Sequence, residues 1–257
     1  MKTKEEIVAN WLPRYTRRPL NSFSKYILLT NFNKYVEIFA RVFQSEVMGR
    51  DANMTSADGG GMTIVNFGMG SPNAAIIMDL LGAISPKACL FLGKCGGLTE
   101  KTKVGDYILP IAAIRGEGTS NDYYPPEVPA LPAFMLQRAV SSAILEHGHD
   151  YWPGMVYTTN RRIWEHDASF KQYLLQTRAM GIDMETATLF TTGFANHIPV
   201  GALLLVSDQP MVPEGIKTEE SDLQVTKNYV EEHMAIGIEA MKMIIDESET
   251  LKHMRME

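Results

Sequence analysis

Three carboxylates are the residues of this chain best suited to chemistry on a small molecule. The stretch "GIDMETATLF" places Asp183 and Glu185 on either side of a methionine at the entrance to a helical pattern, and "LLLVSDQP" brings a strand-like run to Asp208. A carboxylate can accept hydrogen bonds from sugar hydroxyls or, when protonated, act as a general acid. The structural alternatives are acids that complement a helix dipole, and a turn residue after a strand.

The elements that must position these acids favour the functional interpretation. Near-continuous apolar runs at 62–67, 88–92, 106–114 and 200–206 are typical of strands covered on both faces. They alternate with helical patterns, which predicts an α/β fold with a buried sheet. Ligands bind outside the carboxyl ends of strands in such sheets, and there the sequence has "GMGS", "GKCGG", "DMET" and "SD". We therefore expect three acids and two glycine turns to meet at one edge.

Local signals add detail to this sheet. After the first run, Ser71 suits a helix N-cap and Pro72 the first helical position, which predicts strand, glycine turn and helix. The same order over 182–208 predicts a βαβ unit. The Gly-, Pro- and Tyr-rich segment 116–132 is either a functional lid or a plain surface loop.

Composition narrows the class of protein. The 257 residues, 45% hydrophobic and 21% charged, predict one globular domain over 1–257. A net charge of −6 disfavours nucleic acid or an anionic membrane as partner, but it leaves room for a small anion that needs only a few local cations. No apolar run approaches the ~20 residues of a bilayer span and no signal peptide is evident, so we expect a cytoplasmic protein. Cys89 and Cys95 have neither disulfide nor metal-ligand spacing.

Four motifs, in this order and spacing, resemble the nucleoside phosphorylase and nucleosidase superfamily: "GMGSPNAAI", "LGKCGGLTEKTKVGDYILP", "GIDMETATLF" and "LLLVSDQP". With "YTTNRRIWE" at 157–165 and "EGIK" after "VSDQP", the chain is most similar to members that hydrolyse AMP. The resemblance implies a three-layer α/β sandwich of nucleoside phosphorylase type with a central mixed, mostly parallel sheet. It also implies a homo-oligomer, with a hexamer expected, and no metal or organic cofactor.

Roles for the acids follow from this resemblance. Asp208 is expected to protonate or hydrogen-bond purine N7 as the glycosidic bond breaks, with Ser207 helping to orient the base. Glu185 is expected to hold the ribose hydroxyls, with Met184 packed under the sugar and Asp183 beside them facing the ribose. Because Asp208 must carry a proton to act as an acid, we expect it in an apolar, largely dry crevice.

The resemblance also places contacts outside the acidic motifs. In the glycine turn, Met69 and its neighbour Gly70 are expected at the ribose. Either Ile163 or Trp164 packs on the base, and the sequence leaves that choice open.

Two departures from the family pattern bear on the reaction. Phosphorolytic relatives carry an Arg and a Ser for inorganic phosphate where this chain has Phe91 and Lys94, and the loop at 27–35 lacks their Gly-Asp turn and Arg. The phosphate co-substrate site therefore looks dismantled. A 5′-phosphate on the substrate would still need cations, and the candidates are Lys94 first, then Arg161, Arg162 and Arg115.

The departures predict hydrolysis of AMP to adenine and ribose 5-phosphate. The residue that activates water is left open, because Thr30, Asn31 and Asn33 supply no acid where methylthioadenosine-type nucleosidases carry a Glu. One alternative is a purine nucleoside phosphorylase or nucleosidase that acts on unphosphorylated substrates. Another is a non-catalytic nucleotide-binding protein of the same fold.

Overall fold

The computed structural model describes residues 2–246, which form eight strands and seven α-helices. The strands are β1 Tyr26–Thr30, β2 Thr55–Gly59, β3 Met62–Asn66, β4 Ala88–Gly97, β5 Tyr107–Gly116, β6 Tyr151–Thr159, β7 Gly181–Asp183 and β8 Val200–Asp208. The helices are α1 Lys4–Thr16, α2 Asn33–Phe43, α3 Ser71–Leu81, α4 Phe134–Glu146, α5 Ala168–Thr177, α6 Thr186–Ala195 and α7 Glu219–Asp246. Within the described part of the chain, no helix combines the length and apolarity needed to cross a membrane.

All eight strands belong to one sheet, in the order β2-β3-β1-β4-β7-β6-β5-β8 with an additional pairing of β4 with β8. Five of the pairings are parallel: β1–β3, β1–β4, β4–β8, β5–β6 and β6–β7. The prediction of a mixed, mostly parallel sheet is thus confirmed. Because β8 joins β4 to β5 and β7 joins β6 to β4, five strands close into a ring, a feature that the apolar runs could not reveal.

Each face of the sheet packs against its own layer of helices. Successive side chains of a strand point to opposite faces, so Ile27 and Leu29 join the core beneath α1, α3 and α6, while Leu28 joins the core beneath α2, α4 and α7. Cys89 and Leu90 alternate in the same way on β4. These two buried cores with the sheet between them confirm the three-layer α/β sandwich.

The segment "GKCGG" differs from its prediction as a turn, because β4 continues through it to Gly97. Its glycines allow close packing: a Cβ on Gly93 would lie 2.4 Å from the Phe91 ring, and one on Gly97 would lie 2.4 Å from Thr102 Oγ1. A register shift follows Cys95 where the strand meets the end of β8. The glycines therefore serve strand packing at the sheet edge.

The predicted βαβ unit at 182–208 is also corrected. Strand, helix and strand follow in the expected order, but β7 pairs antiparallel with β4 whereas β8 pairs parallel with it. Both strands therefore neighbour β4 but run in opposite directions, and they do not form a parallel pair.

The loop after β5 is shaped by Arg115. Its guanidinium donates to the carbonyl oxygens of Tyr124, Pro125 and Val128, at 2.7, 2.6 and 2.7 Å. These contacts fold the loop over a short 3₁₀ turn at Thr119–Asp122. Arg115 is therefore a structural residue of the loop, and the prediction of it as a phosphate ligand was wrong.

Candidate active site

One cavity of about 190 Å³ opens at the carboxyl ends of the strands. Its walls come from residues at or just after the ends of β1, β6, β7 and β8 and from the far half of β4. Most of the predicted site residues line it, namely Met69, Lys94, Arg162, Trp164, Asp183, Met184, Glu185, Ser207 and Asp208. Arg161 also lines it, whereas Gly70, Ile163 and Arg115 do not.

Glu185 sits at the junction between β7 and α6 with only 2% of its surface exposed. Its Oε1 accepts a hydrogen bond from the Gly70 N–H at 2.7 Å, and its Oε2 accepts one from the Met184 N–H at 3.3 Å. Burial, and then the neighbouring Asp183, raise the pKa of the Glu185 carboxyl to about 8. Backbone donors thus hold this carboxyl group against the cavity in one orientation. Gly70, predicted to touch the ligand, instead positions Glu185.

Asp183 is engaged by the protein itself, which differs from the prediction that both carboxylates face a ribose. It accepts hydrogen bonds from Thr158 Oγ1 at 2.7 Å and from the Thr186 N–H at 2.8 Å, as well as from the Thr186 hydroxyl. These bonds cap the start of α6 and fix the chain on which Glu185 lies. Burial raises the pKa of Asp183, and the threonine donors oppose this shift. Both carboxyl groups line the cavity, with Asp183 held by the threonine donors and Glu185 by backbone donors.

Asp208 ends β8 beside the glycine segment of β4. Its Oδ1 accepts a 2.7 Å hydrogen bond from Ser207 Oγ and lies 3.5 Å from Lys217 Nζ. A Cβ on Gly96 would come within 3.3 Å of Asp208 Oδ2, so the missing side chain makes room for the carboxylate. The expected apolar surroundings were wrong, because Lys217, two residues after the 3₁₀ turn at Pro213–Gly215, brings its ammonium group to this site. The Asp208 side chain is only 12% exposed.

Four charged side chains of alternating sign line one wall of the cavity. Lys94 Nζ lies 3.2 Å from Asp222 Oδ1, and Lys217 Nζ lies 3.5 Å from both Asp222 Oδ1 and Asp208 Oδ1. Burial lowers the pKa of Lys94 and Asp222 opposes this shift. Burial raises the pKa of Asp222, but Lys217 and Lys94 together hold that pKa below its usual value. The wall therefore carries two cations bridged by one carboxylate.

The segment after β6 supplies the apolar contact expected for a base. Trp164 is 4% exposed, lines the cavity and packs edge-on against Phe170 with ring centroids 5.6 Å apart. Ile163 is 70% exposed and lies outside the cavity wall. The structure thus places Trp164, rather than Ile163, where it can contact a ligand.

Two arginines of this segment and one methionine lie at the mouth. Arg162 Nη1 is 3.4 Å from Glu165 Oε1, and Arg161 Nη2 is 2.9 Å from Asp167 Oδ2, and both arginines line the cavity. Met69, in the glycine turn after β3, also lines the cavity, and 52% of its surface is exposed. These residues are accessible to an incoming ligand.

Sequence reasoning assigned no role to several residues of the cavity, among them Asn31, Lys217 and Asp222. Asn31 directly follows β1, so the strand-end rule could have found it. Within the described residues, its Oδ1 is buried without a hydrogen-bond partner. Asp222 lies in the first turn of α7, where an acid needs no functional explanation, and Lys217 lies in the motif "EGIK", to which no role was assigned.

The fold and this cavity define the class of protein. The family model of the Phosphorylase superfamily matches residues 25–247, and the chain belongs to that superfamily. It is 31% identical to the AMP nucleosidase of Escherichia coli (strain K12) over 93% of this chain. The match spans 59% of the length of that curated relative.

Solved structures give a further comparison. The crystal structure of AMP nucleosidase from Bacteroides thetaiotaomicron VPI-5482 is 56% identical, with a TM-score of 0.86 over 96% of this chain and 99% of that chain. Purine nucleoside phosphorylase from Toxoplasma gondii is 19% identical, with a TM-score of 0.78 over 90% of this chain and 95% of that chain, and shares the fold.

Proposed function

We propose that this protein hydrolyses the N-glycosidic bond of AMP, giving adenine and ribose 5-phosphate. The observation that carries the proposal is that Glu185 and Asp208 face one cavity together with a pair of lysines, Lys94 and Lys217. The similarity to AMP nucleosidases of two bacteria supports the same substrate.

The geometry suits cleavage through an oxocarbenium-like transition state. Asp208 hydrogen-bonds or protonates purine N7, while Ser207 orients its carboxyl group and Trp164 packs against the base. Glu185, held by backbone donors, accepts hydrogen bonds from the ribose hydroxyls. When this carboxyl group is ionised, its negative charge lies near the sugar as C1′ becomes positive and stabilises the transition state more than the ground state.

Hydrolysis is favoured over phosphorolysis by the surroundings of Phe91. This side chain is fully buried in the core beneath α3 and α6, with its ring centroid 5.8 Å from that of Phe67. The position at which phosphorolytic relatives carry an Arg is therefore occupied by a core residue. Inorganic phosphate lacks a bidentate partner there.

We also propose a homo-oligomer, a hexamer by family resemblance, located in the cytoplasm. Three exposed apolar side chains support association of subunits: Leu131, Phe134 and Phe194, which are 54%, 67% and 65% exposed. Light scattering on the purified protein measures the number of subunits.

Product analysis tests the proposed reaction. In phosphate-free buffer, we expect AMP to yield adenine and ribose 5-phosphate, which chromatography and a sugar-phosphate assay identify. Adenosine should react poorly because it lacks the phosphate that orients the sugar. If cleavage requires added phosphate and releases ribose 1-phosphate from adenosine, the phosphorylase alternative replaces this proposal. If AMP binds without turnover, the non-catalytic alternative replaces it.

A further inference from the structure

Asp222 lies between the two lysines of the cavity. Its Oδ1 is 3.2 Å from Lys94 Nζ and 3.5 Å from Lys217 Nζ. An oxyanion shared by two ammonium groups is the arrangement that a phosphate monoester makes with its cations. The carboxylate therefore occupies a position that suits one oxygen of a bound phosphate.

Lys94 differs from Asp222 in its freedom to move. The Lys94 side chain is 4% exposed, and its ammonium is also held by Thr226 Oγ1 at 3.0 Å and by the Phe32 ring at 4.7 Å from its centroid. The Asp222 side chain is 41% exposed. Asp222 can therefore turn into solvent at little cost, whereas the buried Lys94 charge cannot leave and requires an anion nearby.

The size of the cavity favours such a movement. Its volume of about 190 Å³ is below the roughly 300 Å³ at which pockets for small organic ligands begin. Asp222 and Lys217 are part of the wall that narrows it. Turning Asp222 away from the lysines would widen the cavity at this wall.

We propose that the Asp222 carboxylate is an internal substitute for the substrate phosphate, which displaces it from Lys94 and Lys217 on binding. This inference rests on the proposed function in one respect, namely that the ligand carries a phosphate monoester. The protein would then exist in a form closed by Asp222 and an open form that binds. The apparent affinity would be reduced by the fraction of molecules in the open form.

Asp222 would also set specificity. A ligand without a phosphate cannot replace the negative charge of Asp222 beside the lysines, so the closed form persists in its presence. A phosphorylated ligand replaces one anion by another and keeps Lys94 compensated. Asp222 thus disfavours unphosphorylated nucleosides as well as weakening the binding of phosphorylated ones.

Calorimetric titration with ribose 5-phosphate tests this without turnover. Asp222→Asn should bind ribose 5-phosphate at least about tenfold more tightly than the wild type, because the competing carboxylate is gone. Inorganic phosphate should also bind more tightly to Asp222→Asn than to the wild type, whereas the affinity for ribose should not increase. The matched control is Glu231→Gln. Glu231 lies on α7, as Asp222 does, but outside the cavity, and its carboxylate pairs with Arg41 of α2 at 2.6 Å. The affinity of this variant should equal that of the wild type.

Unchanged or weaker binding of ribose 5-phosphate by Asp222→Asn would overturn the inference, since Asp222 would then only orient the lysines. If that variant does not fold, Asp222→Ser, which keeps a hydrogen-bonding group in the first turn of α7, repeats the titration with the same criteria. AMP turnover by the wild type is measured separately. Tighter binding of ribose 5-phosphate by Asp222→Asn without AMP turnover by the wild type would contradict the proposed function alone. AMP turnover by the wild type without tighter binding by the variant would contradict this inference alone.

Discussion

The backbone N–H of Gly70 donates a 2.7 Å hydrogen bond to Oε1 of Glu185 across 115 residues of sequence. A second bond runs alongside it, from the Ser71 hydroxyl to the Met184 carbonyl oxygen at 2.7 Å. Gly70 holds φ +92° and ψ 158°, a conformation open essentially to glycine alone. The turn after β3 and the start of α6 thus fix each other, and the orientation of Glu185 depends on a glycine.

Gly70→Ala should lower kcat/KM for AMP and also destabilise the fold by about 1–3 kcal/mol, because alanine disfavours this φ and ψ. The matched control is Gly118→Ala, at φ +87° with no atom within 4 Å of the added Cβ. Denaturant melts and steady-state kinetics on both variants separate the effects. Equal kinetic losses in the two variants would remove the Gly70–Glu185 bond from the mechanism.

Glu185→Gln should reduce turnover of AMP far more than it reduces stability, because an amide cannot ionise to place a negative charge beside the developing oxocarbenium ion. The wild type should also discriminate against 2′-deoxy-AMP, which lacks one of the hydroxyls assigned to Glu185. Kinetics with the two nucleotides measure both effects. Equal cleavage of AMP and 2′-deoxy-AMP by the wild type would leave the hydroxyl contact with little value.

The pH dependence of stability should report the buried Glu185. Its pKa is raised from 4.5 to about 8, so between these values the folded protein binds more protons than the unfolded chain. The free energy of unfolding therefore falls as pH rises through this window, and Asp183, also raised, acts in the same direction. Glu185→Gln should flatten this slope. Urea melts from roughly pH 5 to 9 on both proteins test it, and parallel curves would contradict it.

The strand ends could be predicted from sequence because their apolar runs are continuous and because acids follow them directly. The roles within the acidic pair could not. Asp183 and Glu185 are chemically alike and two residues apart, and both accept hydrogen bonds from the protein. They differ in their donors, because the threonines at 158 and 186 donate to Asp183, whereas the backbone N–H groups of Gly70 and Met184 donate to Glu185. Thr158 approaches from a neighbouring strand, a contact that depends on strand pairing.

The charged wall was harder still to predict. Lys94 was predicted to meet a phosphate directly, yet its partner Asp222 lies 128 residues away, on a helix that packs across the sheet. Lys217 reaches Asp208 by way of a short 3₁₀ turn. Likewise, the glycines of "GKCGG" suggested a turn, and only the packing of Phe91 and Thr102 shows why a strand needs them.

Asp208→Asn should lower kcat by roughly 10²–10⁴ with the fold intact, because an amide cannot donate a proton to N7 as a carboxylic acid does. The structure provides a comparison in Ser207→Ala, which leaves the acid in place and removes the 2.7 Å hydrogen bond that orients it. That variant should lose less activity than Asp208→Asn. Near-normal turnover by Asp208→Asn, with an unchanged circular dichroism spectrum, would remove Asp208 from the mechanism.

Replacing Lys94 tests the preference for a phosphorylated substrate. Lys94→Met keeps the length of the side chain and is compatible with its buried surroundings, so the fold should tolerate it. The lost charge-assisted contact, worth about 1.5–3 kcal/mol, should reduce kcat/KM for AMP by roughly 10–100-fold. Adenosine has no phosphate for Lys94 to contact, so its turnover should change little. The ratio of kcat/KM for AMP to that for adenosine should therefore decrease.

The matched control is Lys242→Met. Lys242 lies on the same helix as Asp222 and pairs with Glu239 at 3.5 Å. This variant should leave the ratio of kcat/KM for AMP to that for adenosine unchanged. An equal fall in kcat/KM for AMP and adenosine would show that Lys94 supports the structure of the cavity and does not recognise phosphate.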